Sequence, residues 1–153
     1  MKNAFRIRFL LAPALLFLLA GCSSFQGDWN KTLAAKTATT GLIGPWEGTW
    51  RSEVNGHNNV LQCIVSRSEE GVYSARFHAK YKTPLQVTVS FGYTVPLSVQ
   101  LTNDLWHFSG SANLGWMAGG VYTYEGSASA TNFTSTYNSK YDHGVFQMRR
   151  PEK

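Results

Sequence analysis

Few residues in this chain have the type and spacing that metal binding would need. The four histidines are far apart in the sequence, and three of them lie in or beside predicted turns: His57, His78, His107 and His143. Zinc and haem sites use clustered histidine, cysteine or carboxylate ligands, often at short spacings such as His-x-x-x-His. Because no such spacing is present, the sequence predicts neither a metal site nor another cofactor.

Candidates for acid, base and nucleophile are also sparse. Glu69 and Glu70 are adjacent in a predicted turn, where carboxylates usually point to water. Asp142 and His143 could be hydrogen-bonded, but Asp-His-Gly is a good turn sequence in its own right, and we favour the turn. The chain has no Gly-x-Ser-x-Gly elbow and no phosphate-binding loop. Since no pattern supplies nucleophile, base and orienting group together, we expect no enzymatic activity.

The two cysteines occur in different surroundings. Cys63 lies in the apolar stretch Val60 to Val65, which favours a small buried side chain over a reactive thiol. Cys22 follows an apolar segment, Phe9 to Ala20, that is preceded by Lys2, Arg6 and Arg8. A positive region, a short apolar region and small residues before a cleavage point are typical of a signal peptide. The apolar segment is shorter than the roughly 20 residues that a membrane-spanning helix needs.

The segment Leu19-Ala20-Gly21-Cys22 resembles the lipobox of bacterial lipoproteins. The resemblance implies that residues 1–21 are removed and that Cys22 carries lipid and becomes the new N-terminus. Two or more acyl chains, at about 0.8 kcal/mol per buried methylene, hold a small domain on a membrane. Ser23 replaces the aspartate that retains such proteins in the inner membrane, which favours an outer-membrane location in the cell envelope. The domain could face the periplasm or the cell surface.

The charge balance does not indicate nucleic-acid binding. The chain has 14 basic and 9 acidic residues, and residues 1–21 contain three of the basic ones and none of the acidic ones. The mature chain would therefore be only slightly positive. The expected partners are the membrane, through the lipid, and a small apolar ligand or an envelope protein.

The chain after the signal peptide divides into a tether and one domain. Residues 22–44 are rich in Ser, Thr, Ala and Gly, and we expect a flexible tether with one or two helical turns around Asp28 to Lys36. Residues 45–153 have the length of a single domain.

The domain has the alternation of a β protein. In Val72 to Lys80, apolar side chains alternate with polar ones, and odd-numbered positions from Leu85 to Leu101 remain apolar. The second run is too long for a usual strand, so we expect a bend at Gly92 or near Pro96. The other predicted strands, separated by turn residues, are Trp46 to Glu53, Asn59 to Arg67, Leu105 to Asn113, Gly120 to Ala130, Asn132 to Lys140 and His143 to Arg150.

About eight consecutive strands with short connections predict an all-β fold, a single small antiparallel up-and-down barrel. A β-sandwich is the alternative. The pattern resembles the calycin group, which includes lipocalins, avidins and fatty-acid-binding proteins. Gly44-Pro45-Trp46, or Gly48-Thr49-Trp50, resembles the group's Gly-x-Trp on the first strand, and Arg149 or Arg150 its last-strand cation. The resemblance implies that Trp46 or Trp50 lies at one end of the barrel beneath an arginine.

The predicted interior is unusually aromatic. We favour a binding module that takes a small apolar or amphipathic ligand among Tyr73, Phe77, Tyr93, Trp106, Tyr122 and Tyr124. The alternative is a structural or protein-interaction lipoprotein whose filled aromatic core holds no ligand. The apolar loop Leu114 to Gly120 is expected to plug a barrel end. It could instead be an exposed recognition loop or a second membrane contact.

Overall fold

The computed structural model describes residues 25–35, 41–82 and 86–152. Eight strands form one closed antiparallel barrel in sequence order. The strands are β1 Gly44–Ser52, β2 Asn58–Arg67, β3 Tyr73–Lys82, β4 Thr88–Thr102, β5 Leu105–Asn113, β6 Val121–Ala128, β7 Asn132–Asn138 and β8 His143–Arg149. The predicted up-and-down barrel is therefore confirmed, and the β-sandwich is excluded.

The two ends of the barrel differ in what closes them. The Trp46 end contains the start of β1, the β2–β3, β4–β5 and β6–β7 turns, and the end of β8. The Trp116 end contains the other four connections, including the 3-10 turn Trp116–Ala118 between β5 and β6.

The long run of alternating residues is one strand, so the expectation that it was too long for a single strand is wrong. β4 continues for 15 residues through Gly92 and Pro96. Its first part, Thr88 to Leu97, pairs with β3, and its second part, Leu97 to Thr102, pairs with β5. A strand in a tilted barrel can exceed the usual length because its two halves serve different neighbours.

The closing seam of the barrel joins β1 to β8 over six residue pairs, from Glu47↔Arg149 to Ser52↔Gly144. Gly48 and Gly144 face inward at this seam. A Cβ at Gly48 would collide with the carbonyl oxygen of Gln147, and one at Gly144 with that of Arg51. These glycines allow the first and last strands to approach closely while the barrel curves.

Part of the expected tether is helical and lies against the barrel. Residues 25–34 form a helix, and Phe25 and Trp29, one turn apart, are 2% and 3% exposed. The Phe25 ring stacks on His78 of β3 at 4.6 Å between centroids. Arg76 of β3 donates a hydrogen bond to the Asp28 carboxylate at 2.7 Å. In this stretch the chain differs from a free tether because two large rings gain burial on the outer wall. No helix among the described residues is long and apolar enough to cross a membrane.

Candidate functional site

Arg150 closes the Trp46 end. Its guanidinium carbon lies 3.6 Å from the centre of the Trp46 ring. It also donates to the carbonyl oxygens of Gly41 at 2.6 Å and Pro45 at 3.1 Å. Burial lowers the pKa of Arg150 to about 10, which still leaves the guanidinium charged near neutrality. The predicted arginine–tryptophan contact is confirmed for this pair.

The other two predicted closing residues have different positions. Arg149 is on the surface and forms an ion pair with Glu152 at 3.0 Å. Trp50 faces inward on β1, opposite Phe146 of β8, and its buried indole nitrogen has no hydrogen-bond partner among the described residues. Neither residue takes part in the Arg150 contact.

A carboxylate secures the same seam at the Trp116 end. Ser52 Oγ donates to one oxygen of Asp142 at 2.6 Å, and Tyr137 Oη donates to the other at 3.1 Å. The Asp142 backbone closes the β7–β8 turn with Ser139, so the turn interpretation is confirmed. Ser52 is buried, and its Oγ accepts hydrogen bonds from two backbone amides. Its hydroxyl therefore has a structural role and is not an activated nucleophile.

The six predicted pocket residues separate into two groups. Tyr73 and Trp106 lie at the Trp46 end, with ring centroids 6.5 Å apart. Gly41, in a left-handed conformation, lies against the Trp106 indole and covers it. The other four, Phe77, Tyr93, Tyr122 and Tyr124, belong to one connected set of rings toward the Trp116 end.

The centre of the barrel is packed with these rings. Phe77 lies 5.2 Å from Tyr93, 6.0 Å from Tyr124 and 5.4 Å from Phe146, measured between ring centroids. Phe77 and Tyr124 are both buried. Phe77 and Tyr124 therefore form a floor across the barrel. A ligand could contact the connected rings only from the side of the Trp116 end.

Beside this floor, the backbone pairing between β4 and β5 ends before β4 itself ends. Among the described residues the β4–β5 pairing ends at Leu97↔Gly110, while β4 continues to Thr88 along β3. The Pro96 carbonyl faces Gly110 of β5, so the proline nitrogen faces β5 as well and has no hydrogen to donate. A surface depression of about 540 Å³ crosses the outer wall of β4, β5 and β6 near this point, and its lining residues include Pro96, Ser98, Ser109, Thr123 and Tyr124.

Aromatic side chains are partly exposed further along the barrel, toward the Trp116 end. Phe91 is 38% exposed and Tyr81 is 36% exposed. Tyr93 and Tyr122 are half-buried, and Tyr93 lies 5.7 Å from Phe91 between centroids. We call Tyr81, Phe91, Tyr93 and Tyr122 the aromatic mouth. Sequence analysis placed these side chains inside the barrel, because alternation identifies the face on which a residue lies but not how far it is covered at the end of the barrel.

The tyrosine hydroxyls beneath the mouth are neutral donors and acceptors. Burial raises the pKa of Tyr93, and the neighbouring Tyr124 raises it further. Burial likewise raises the pKa of Tyr124 above its usual range. These hydroxyls can orient a polar group of a ligand, but they do not supply an ionised base near neutral pH.

The Leu114 to Gly120 loop does not plug the barrel, so that expectation is wrong. Trp116 is 88% exposed and Met117 is 83% exposed. Gly115 and Gly119 take positive φ angles of 87° and 94°, and the Gly120 amide donates to the Gly115 carbonyl at 2.9 Å. The glycine conformations turn the two large apolar side chains outward.

The remaining candidates lie away from the mouth. Cys63 is a buried free thiol whose pKa is raised by burial, as expected for a core residue. Among the described residues, no three histidine, cysteine or carboxylate side chains come together as a possible metal site. Cys22 and Ser23 lie outside the described residues. Comparisons with protein-family models, curated proteins and solved structures found no match to this chain.

Proposed function

We propose that this protein is a lipid-anchored envelope lipoprotein whose barrel binds a small apolar or amphipathic ligand at the aromatic mouth. The observation that carries the ligand proposal is that Phe91, Tyr93 and Tyr122, toward the Trp116 end, are not fully buried. Most other inward-facing rings are packed against one another. Catalysis is not part of the proposal.

The composition of the mouth favours this ligand class. Phe91 offers an apolar ring, and Tyr93 and Tyr122 combine rings with hydroxyls. Sites for amphipathic molecules pair an apolar lining with a few fixed polar groups. Because Phe77 and Tyr124 fill the space below, the ligand must be small or must insert only one end.

The anchor proposal rests on the lipobox resemblance at Leu19-Ala20-Gly21-Cys22 and on Ser23, which favours the outer membrane. Mass spectrometry of the purified membrane form should find an acylated N-terminal Cys22. A free Cys22 thiol in that form would contradict the anchor and leave the barrel proposal standing.

Titration of intrinsic tryptophan fluorescence with fatty acids, envelope phospholipids and small aromatic compounds tests the ligand proposal. We expect a saturable response and about tenfold weaker binding in Phe91→Ala, since roughly 1.5 kcal/mol of apolar contact would be lost. Leu101→Ala is the matched control because Leu101 is exposed on the same strand at the opposite end. Binding that is equally weakened in both variants would contradict a site at the mouth.

The second candidate is a structural or protein-interaction lipoprotein without a ligand. The continuous contacts among Phe77, Tyr124 and Phe146 favour it, because a filled core needs no ligand to be stable. If no compound gives a saturable response while both variants remain folded, this second function replaces the first.

A further inference from the structure

The Trp116 end of the barrel carries most of the exposed apolar side chains. Among the described residues, nine of the twelve exposed large hydrophobic side chains lie at this end, and only Val72 and Leu101 lie at the other end, with Leu33 on the helix. The nine are Val54, Val60, Tyr81, Val87, Phe91, Trp116, Met117, Val121 and Tyr141. They come from all four connections at this end and from the strands beside them, so they form a rim and not a patch on one side.

The charges of the two ends are opposite in character. The Trp116 end has the exposed cations Arg51, Lys80 and Lys140. Its two acidic residues are engaged locally: Glu53 lies 3.9 Å from both Arg51 and His143, and Asp142 accepts two hydroxyls. The Trp46 end instead carries four exposed acidic residues, Glu69, Glu70, Asp104 and Glu152, against the arginines Arg67, Arg149 and Arg150, and Arg149 is paired with Glu152. The Trp116 end therefore has a small excess of positive charge and the Trp46 end a small excess of negative charge, so an anionic surface would favour the Trp116 end.

The helix holds the proposed anchor close to the barrel. Phe25 stacks on His78, which is two residues from Lys80 on the same strand. Three residue steps separate Phe25 from Cys22, and an extended chain spans at most about 3.5 Å per residue. A lipid on Cys22 would thus keep this wall of the barrel within roughly 10 Å of the membrane surface.

We propose that the rim at the Trp116 end docks on the phospholipid surface of the membrane that holds the anchor. Trp116 and Met117 enter the boundary between headgroups and acyl chains, and the cations contact anionic headgroups. Tryptophan and tyrosine favour this boundary because their rings are apolar and their N–H or O–H groups remain hydrated. The docked orientation turns the aromatic mouth toward lipid. The inference rests on the proposed anchor for its geometry but not for the lipid affinity of the rim.

Reconstituted protein tests this orientation. The lipidated chain is placed in vesicles of phosphatidylethanolamine and phosphatidylglycerol with brominated acyl chains, which quench nearby tryptophan. We expect Trp116 emission to be quenched by the brominated lipid and protected from aqueous acrylamide, and Trp116→Phe to remove this signal. As a matched control, Leu101→Trp in the Trp116→Phe background should place a reporter at the opposite end, accessible to acrylamide and not quenched by the lipid.

The outcomes separate docking from anchoring when Cys22 is examined by mass spectrometry in the same sample. If Cys22 is acylated but Trp116 remains fully accessible to acrylamide, docking is wrong and the anchor stands. If Cys22 is unmodified and Trp116 is still quenched by the lipid, docking stands and the anchor is wrong. If Cys22 is unmodified and the protein washes off the vesicles, both are wrong.

Discussion

Arg150 shows how one side chain can complete a barrel. It stacks on Trp46 and donates to backbone carbonyls of the segment that enters β1. Sequence analysis could predict the ring contact only through the resemblance to the calycin group, which left Trp46 or Trp50 and Arg149 or Arg150 open. The sequence could not predict which carbonyl oxygens accept from Arg150, since every residue has a backbone carbonyl. Only the folded path of the chain brings those of Gly41 and Pro45 within reach.

Replacing Arg150 with lysine should lower the free energy of unfolding by about 1.5 to 3 kcal/mol. Lysine keeps the charge but cannot stack its planar group on Trp46 while donating to two carbonyls. Denaturant unfolding measures the change. Arg149→Lys is the control, because Arg149 is exposed and should change stability by less than about 0.5 kcal/mol. Equal effects of the two substitutions would contradict a special role for Arg150.

At the scale of elements, the helix and β4 departed most from expectation. Composition favoured a tether over residues 22–44, and the burial of Phe25 and Trp29 depends on a surface that only the folded barrel provides. Strand β4 was predicted in position but not in continuity, because alternation does not reveal where a strand exchanges one neighbour for the other. The remaining strands were predicted to within two residues at each end, since turn residues separate them.

Acid should weaken the contact between the helix and β3. His78 is buried under Phe25, and neither ring nitrogen has a hydrogen-bond partner among the described residues. Burial, and then the charges of Lys80 and Arg76, lowers the pKa of His78 below its ordinary value. When the helix leaves β3, His78 therefore binds a proton more readily. The contact between the helix and β3 becomes less stable as the pH falls below about 6.5, by at most about 1.4 kcal/mol per pH unit.

Hydrogen exchange of the amides in residues 25–34 measures this effect. Their protection should decrease between about pH 7 and pH 5, beyond the intrinsic change in exchange rate. His78→Gln should abolish the extra loss, while His107→Gln, at an exposed position on β5, should retain it. A loss that persists in His78→Gln would show that another group controls the contact.

The whole barrel unites one tightly packed interior with two unlike ends. Alternation in the sequence identified which residues face inward, and the structure agrees for both groups of the predicted pocket. It could not identify which inward rings reach the surface. That depends on strand register and on the point where the β4–β5 ladder stops, and both are properties of the closed barrel.

Alkali should unfold the barrel as a unit. The pKa values of Tyr93, Tyr124 and Tyr137 are raised, chiefly by burial. An unfolded tyrosine releases its proton near pH 10, so these residues contribute stability that is lost as the pH rises above about 10. Absorbance of tyrosinate and circular dichroism, recorded together, should show these three buried tyrosines ionising only as strand structure disappears.

Tyr141→Phe supplies the control for that titration, because Tyr141 is exposed and its substitution should leave the unfolding transition unaltered. Reversible ionisation of all tyrosines with the strands intact would contradict the account.

The β1–β8 seam also determines how such a chain can fold. Seven of the eight strand pairings join neighbours in sequence, so their hairpins can form locally and early. The last pairing brings together segments about a hundred residues apart in the sequence, and it bears the largest loop-closure entropy. Until β8 is in place, β1 and β7 are unpaired edges that can recruit strands from other chains. The chain is therefore protected from aggregation only when β8 has paired with β1 and β7. Truncation of β8 would leave a chain that associates with other copies because its barrel cannot close.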